Sequence, residues 1–395
     1  MVATAAVYPD GGLPSADSPD LVLVPAPPEE RLECSRLHSV AFKGSLDIQT
    51  YIARKNHLSQ QHLTRDGLTC WVLVERNKPP GQRTILSSCE TYRKKGFLAY
   101  EGNVEDILTH GVGTVYSRPE FRGKGYAGRM MKELSQKLDT WQMENERRTR
   151  SVFSVLFSDI GKSFYTRYGW KPFPSFHISL PAITEEEYRQ EIAGVNLPKP
   201  RTLLAEDVRT CMCNDNIIQQ ERELLRAASE KSSKAQVAIV PDFDHFLWHW
   251  AREEFYAERV LSNRDPPLVK GAGDDGARVH CVWSRNFGES LKDNTLYILH
   301  WVYDKQIVPS QTKATVKAMA AILRSAQLEA HRWNMAQVEF WSPTPLMLEA
   351  IGLLDPSAKV VDREDSSICS LKWNGAEQGL GNDVEWCLNE KYTWC

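Results

Sequence analysis

The stretch Val115-Tyr116-Ser117-Arg118-Pro119-Glu120-Phe121-Arg122-Gly123-Lys124-Gly125-Tyr126-Ala127 carries an apolar strand through a basic, glycine-bearing turn. The turn opens directly into Gly128-Arg129-Met130-Met131-Lys132-Glu133-Leu134, the start of a helix. That is the architecture of a phosphate cradle. The first N–H groups of a helix have no intrahelical partner, and the helix dipole adds partial positive charge beside them. Gly123 and Gly125 let a ligand approach the backbone closely, and Arg122 and Lys124 add full charges. No Gly-Lys-Ser/Thr stands at P-loop spacing.

A chain of 395 residues is long enough for two or three domains. Its hydrophobic content of 42% with 25% charged residues is that of an ordinary globular protein. A formal net charge of -3 argues against a dedicated nucleic-acid binder. The nine cysteines are scattered without CxxC pairing, as buried thiols in a reducing compartment would be. No apolar run reaches a membrane span's length, and the N-terminus lacks a secretory signature. A cytoplasmic protein with no membrane or nucleic-acid partner is expected; oligomeric state is left open.

Composition predicts a disordered tail over 1–19. Short strands follow at Leu21–Val24, Cys70–Val74, Thr84–Tyr92 and Gly113–Ser117. A helix is expected from Lys124 to about Trp141, then a buried strand at Ser151–Phe157 and a short helix at Ile160–Tyr168 stopped by Gly169. A boundary near 196–200, at Leu197-Pro198-Lys199-Pro200, would separate a domain over 20–195 from a second mixed α/β domain over 196–395.

Taken together, the strand, basic turn and helix, the next strand and Ser163-Phe164-Tyr165-Thr166-Arg167-Tyr168-Gly169-Trp170 resemble the GNAT superfamily of acetyl-CoA-dependent N-acetyltransferases. Arg122, Gly125 and Ala127 meet that family's phosphate signature. Phe164, Tyr165, Gly169 and Trp170 meet its second, an F-Y-x-x-x-G-F/W run. The resemblance implies an α/β (α+β) fold with a mixed, mostly antiparallel sheet, acetyl-CoA as cosubstrate and no metal. It implies that backbone groups of Val115, Tyr116 and Ser117 bind the pantetheine arm, with the Val115 N–H polarising the thioester carbonyl. Arg122, Gly123, Lys124, Gly125, Tyr126 and Ala127 would hold the pyrophosphate. Tyr165 would protonate the departing thiolate. Relatives usually carry Asn and Ala where this chain has Ser158 and Gly161, so Ser158 stands in for the pantetheine contact of that turn.

The same resemblance places a general base near Gly111, which has no side chain. His110 is adjacent but belongs to the opposite face of a regular strand. A second candidate is the carboxylate of Cys395, because the aromatic segment Val384–Cys395 is too apolar for a free tail and multidomain relatives use a chain terminus as base. Glu101, Glu105 and Asp106 read as a solvated loop or as contacts for a cationic substrate. His245 and His249, beside Asp242 and Asp244, lack a third metal ligand at recognisable spacing and read as part of an aromatic packing helix. The run Arg147-Arg148-Thr149-Arg150 reads as a solvated helix cap.

The segments Ser158–Tyr165 and Asn389–Cys395, with the total length, narrow the resemblance to fungal L-lysine N-epsilon-acetyltransferases of lysine catabolism. That implies direct attack of the side-chain amine of free L-lysine on acetyl-CoA in a ternary complex, with the second domain walling the acceptor pocket. The alternatives are another small amine, a protein lysine, or a non-catalytic acetyl-CoA sensor.

Overall fold

The computed structural model describes residues 12–143, 150–261, 264–305 and 308–394. Their strands, in chain order, are β1 (Leu21–Pro25), β2 (Leu68–Glu75), β3 (Ser87–Tyr100), β4 (Asn103–Tyr116), β5 (Ser151–Ser158), β6 (Lys171–Pro172), β7 (Phe176–Pro181) and β8 (Arg201–Leu203). They continue as β9 (Ala235–Ile239), β10 (Gly271–Asp274), β11 (Val279–Asn286), β12 (Thr295–Val302), β13 (Gln337–Trp341), β14 (Val361–Asp362), β15 (Ile368–Trp373) and β16 (Val384–Trp386). The first sheet runs β1-β2-β3-β4-β5-β15-β6, with β9 added beside β3 and β16 beside β9. The second runs β14-β7-β13-β12-β11-β10-β8. Parallel pairing is confined to β4–β5 and β9–β16 in the first sheet and to β12–β13 in the second. The fold is therefore mixed α/β with mostly antiparallel sheets.

Length lets β3 serve two partners along one edge. Its first half, Ser87–Tyr92, pairs with β2, and Gly96–Ala99 pairs with β9. The helix Tyr126–Lys137 buries Met130, Met131 and Leu134 against Leu23, Trp71, Leu73 and Leu156 of the first sheet. Alternation along β2 sends Cys70, Val72 and Val74 to the other face, where Cys34 of the helix Pro28–Phe42 packs on them. In the second lobe the helix Pro309–Arg332 lays Val316, Met319, Ile322 and Leu323 on the sheet.

The passage between sheets comes at β7, ahead of the 196–200 link. The downstream strands β9, β15 and β16 return to the first sheet. The expected helix at 124–141 is shorter, Tyr126–Lys137, because Gly125 is left-handed (φ +84°) and ends the turn there. Two other expectations differ. Residues Pro14 to Ser18, assigned to a disordered tail, lie against that helix: Tyr126 Oη donates to Pro14 O (2.7 Å) and Arg129 donates to Ala16 O (2.9 Å). Glu105 and Asp106, placed before the strand, are inside β4, where Arg150 and Arg222 hold their carboxylates. The β3–β4 hairpin simply runs further than its apolar core. Arg147, Arg148 and Thr149 of the basic run lie outside the described residues.

Behind the second sheet a charged cluster is fully enclosed. Glu253, 0% exposed, accepts from Lys270 Nζ (2.7 Å), the Arg285 backbone N–H (2.7 Å) and Arg285 Nη1 (3.2 Å). Arg285 Nη2 reaches Glu329 at 2.5 Å. Removing one member leaves a buried charge without compensation. We expect Glu253→Gln to cost about 3–5 kcal/mol, read as a lower urea midpoint at unchanged m-value.

Candidate active site

Strands β4 and β5 pair in parallel only as far as Val112↔Leu156, while β4 continues to Tyr116. Across β4, Ser88 faces Tyr116 and Glu90 faces Gly113, so Thr114 and Val115 together oppose Cys89. This is a β-bulge, and Thr114 takes a positive φ of 52° within it. Bulge and divergence together leave the β5-side edge of Gly113–Tyr116 without a strand partner. Its N–H and C=O groups can serve a bound ligand. Ser87 Oγ donates to Tyr116 O (3.0 Å) and Ser117 Oγ to Ser87 Oγ (2.9 Å), which fixes where β4 ends.

The basic turn follows at once. Gly123 and Gly125 have φ of +74° and +84°, values that cost an L side chain about 1–2 kcal/mol. A Cβ on Gly123 would meet nothing within 4 Å, so the turn is open on its outer side. Gly125 is the N-cap of Tyr126–Lys137, and no side chain caps that terminus. The helix's first N–H groups are therefore available to an anion. Arg122 Nε donates to Ser117 O (3.3 Å) and Lys124 lies 5.8 Å over the Phe121 ring, so both cations stay at the turn. An acidic phosphate diester fits this donor set.

Beyond β5, Ser158 Oγ donates to Gly161 O (2.7 Å) and accepts from the Ile160 N–H (3.3 Å), closing the turn that leads to Tyr165. Tyr165 is 8% exposed and packs in the same cluster as Val112 and Leu156, at the point where the strands part. Burial, with Cys89 and Asp159 adding to it, pushes its phenol above the ordinary value. It therefore stays protonated through neutral pH, as a proton donor must.

At the divergence a cavity of ≈ 200 Å³ opens, bounded by Gly113, Thr114, Phe157, Tyr92, Trp248 and Trp394, with the side chains of Arg54, Lys55, Asp159 and Arg252 on its walls. At about 30 Å³ per water this is a space for a small metabolite. Glu90, 4% exposed, stands cross-strand from Gly113, and Tyr92 from Gly111. A buried carboxylate thus stands on β3, across the strand pair from the side-chain gap in β4. Its Oε2 accepts from Thr114 Oγ1 (2.8 Å), Tyr92 Oη (3.0 Å) and Lys55 Nζ. Burial alone would raise its pKa, but the charges of Lys55 and His38 and the hydrogen bonds of Lys55 and Thr114 outweigh it and pull the value to about 2. Glu90 stays ionised at any working pH.

His110 is buried on the other face of β4, where Nε2 meets Gln142 Oε1 at 3.1 Å, and it is not among the cavity walls. Burial, offset in part by Gln142, lowers its pKa to about 4, so the ring is neutral at neutral pH. Cys395 lies outside the described residues, but Trp394 reaches the cavity. The divergence thus gathers Val115, Tyr116, Ser117, Ser158, Tyr165 and the Arg122–Ala127 turn, and leaves His110 behind the sheet. His245 pairs with Asp242 (2.7 Å), and His249 Nε2 faces Tyr392 O at 3.4 Å, both inside the packing helix Phe243–Arg259.

Sequence reasoning passed over Glu90, Lys55, Arg54 and Arg252. Glu90 carries one usable signal, a lone acid inside Ser87-Ser88-Cys89-Glu90-Thr91-Tyr92. The other three sit on helices whose cavity-facing side depends on what packs against them.

The second sheet repeats the divergence. Pairing of β12 with β13 ends at Ile298↔Phe340 while β12 runs on to Val302. Here the C-terminal segment fills the gap: Glu390 Oε2 accepts from the Trp301 N–H (3.2 Å) and meets His300 Nδ1 (3.0 Å), and Ser342 Oγ donates to Asn389 O (2.6 Å). The segment then delivers Lys391 into a cage of Tyr297 (4.3 Å), Trp341 (4.4 Å) and Trp394 (4.2 Å). Burial is the main cause that lowers the Lys391 pKa to about 7.

Residues 177–395, more than half of the chain, match the family model described as LYC1 GNAT-like C-terminal domain. Among curated proteins, the uncharacterized protein YGR111W of Saccharomyces cerevisiae is 25% identical over 393 residues, covering 90% of this chain and 92% of that one. A lysine acetyltransferase of Yarrowia lipolytica is 29% identical over 99 residues, 22% of this chain and 25% of that protein. Among solved structures, a GCN5-related N-acetyltransferase from Kribbella flavida aligns with a TM-score of 0.49 at 15% identity, over 90% of this chain and 72% of that one.

Because its folded pKa is depressed, Glu90 contributes stability above its ordinary 4.5 that is lost as pH falls through about 2. That drop corresponds to about 3 kcal/mol. Glu90→Gln should therefore be less stable by about 3 kcal/mol at pH 7, and its deficit against the native chain should shrink between pH 4.5 and 2 in urea titrations.

Proposed function

This chain belongs to the LYC1 GNAT-like family, whose C-terminal domain it carries, and from that premise we propose that it transfers an acetyl group from acetyl-CoA to the side-chain amine of free L-lysine. The observation that carries the reading is one of alignment. An anion-binding helix N-terminus at Arg122–Ala127, a strand edge at Gly113–Tyr116 and a metabolite-sized cavity follow one another along the end of β4. The name of the Yarrowia relative, lysine acetyltransferase, points to the same acceptor.

Acetyl-CoA supplies an activated thioester; the residues supply position and charge. Arg122, Lys124 and the N–H groups of the Gly123–Ala127 turn hold the pyrophosphate, and the exposed edge of Val115–Ser117 aligns the pantetheine arm. The Val115 N–H takes the growing negative charge on the carbonyl oxygen. Tyr165, kept protonated by burial, gives its proton to the sulfur as the C–S bond breaks. The amine attacks in its neutral form, and the proton its nitrogen sheds as the amide forms restores the Tyr165 phenol, so the rate rises with pH until the amine itself has titrated. Glu90, ionised and paired with Lys55, holds the Thr114 hydroxyl in place at the end of the cavity.

Thiol release from acetyl-CoA on addition of free lysine tests the reading. Turnover of histone peptides with none of lysine would replace the acceptor. Tight acetyl-CoA binding without turnover of any amine would make the protein a sensor. Tyr165→Phe should lower kcat about 10²-fold. Gly125→Val, forcing a β-branched residue to φ +84°, should raise the KM for acetyl-CoA about tenfold or more, since about 1–2 kcal/mol of strain falls on the turn.

A further inference from the structure

Two arginines face the acceptor cavity with no carboxylate partner among the described residues. Arg54, from the helix Ile48–Ser59, is 7% exposed; Nη1 donates to Tyr256 Oη (2.9 Å), Nη2 to Phe42 O (3.3 Å), and Nε has no partner. Its guanidinium stands over the rings of Tyr51 (5.0 Å) and Tyr256 (5.7 Å). Arg252, from Phe243–Arg259, reaches the same cavity and a second, polar one next to it, with its guanidinium 5.2 Å over Trp394. Lys391 Nζ lies 4.2 Å from the centre of the same ring. Among the described residues no carboxylate is hydrogen-bonded or ion-paired to Arg54, Arg252 or Lys391.

That arrangement is costly. Placing like charges together in a half-dry pocket raises the free energy of each, and burial together with the Arg54 charge brings Arg252 down to about 10. Elsewhere the chain avoids this: buried Arg285 meets Glu253 and Glu329, and Arg83 meets Glu30. Asp159, on the cavity wall, accepts at Oδ1 from the Ser367 N–H (2.8 Å), and Glu90, next to Thr114, is held by Lys55 and Thr114. An anion brought by the acceptor would neutralise the arginines, and the planar guanidinium fork matches a carboxylate.

We infer that Arg252 and Arg54 form the carboxylate subsite of the acceptor pocket and select an amine that carries a carboxylate over one that does not. The inference rests on the acetyltransferase reading and adds the residues that set its specificity. An amino acid enters with its carboxylate between the two helices and its side-chain amine toward Thr114. Polyamines, which bring more positive charge to the arginines, are rejected by repulsion, and a chain-internal lysine has no free carboxylate to offer.

The test compares lysine with cadaverine, the same diamine without the carboxylate, using the full chain and acetyl-CoA. The native protein should favour lysine in kcat/KM by about 10²-fold or more, as expected for loss of a charge-assisted contact. In Arg252→Gln that preference should collapse toward unity through a rise in the KM for lysine, and Arg252→Lys should restore part of it. Arg54→Lys should lower the preference in the same direction. Equal losses on both amines in Arg252→Gln would mark Arg252 as a packing residue and overturn the inference. Cadaverine acetylated by the native protein as well as lysine would overturn it too, while leaving the acetyltransferase reading intact. No thiol release with any amine would overturn that reading, and the subsite with it.

Discussion

Two parallel strands that part before they end leave peptide groups with no ladder to satisfy them. In this chain β4 and β5 separate after Val112↔Leu156, and the bulge at Thr114–Val115 re-aims what remains of β4. The basic glycine turn, Tyr165 and the cavity are all placed by that separation. Regular pairing to Tyr116 would close the cavity and consume the edge. The helix Tyr126–Lys137 is fixed on the sheet through Met130, Met131 and Leu134, so the turn at its N-terminus depends on apolar packing as much as on polar groups.

Comparison of the two sheets shows what the C-terminal segment does. Both diverge in the same way, yet the gap in the second is filled by Glu390 and Asn389. From there Trp394 passes to the cavity of the first sheet and Lys391 to the polar one next to it, while β16 pairs with β9. One segment thus satisfies the open edge of one lobe and completes the acceptor wall of the other. This explains why an aromatic C-terminus is buried rather than free, and why the lobes share strands instead of meeting at a simple linker.

The turn was legible because its chemistry is local. Positive φ at Gly123 and Gly125, a helix starting at once and two flanking cations need only adjacent residues, and Phe164-Tyr165 lies one helix and one strand downstream. The acceptor side was not legible for the opposite reason. Glu90 meets Gly113 only across a strand pair, and Lys55 reaches it from a helix outside that pair. His110, adjacent to the empty Gly111, illustrates the limit: strand alternation puts it behind the sheet beside Gln142.

The sequence by itself determined the strand–turn–helix unit and the anion chemistry it supports, since these follow from the covalent order of glycines, cations and apolar residues. Tertiary structure alone decided which side chains face the acceptor. Arg54 and Arg252 come from two helices about two hundred residues apart in the chain. They become neighbours only because both helices must bury their apolar faces in one core, a constraint on packing that no local pattern encodes.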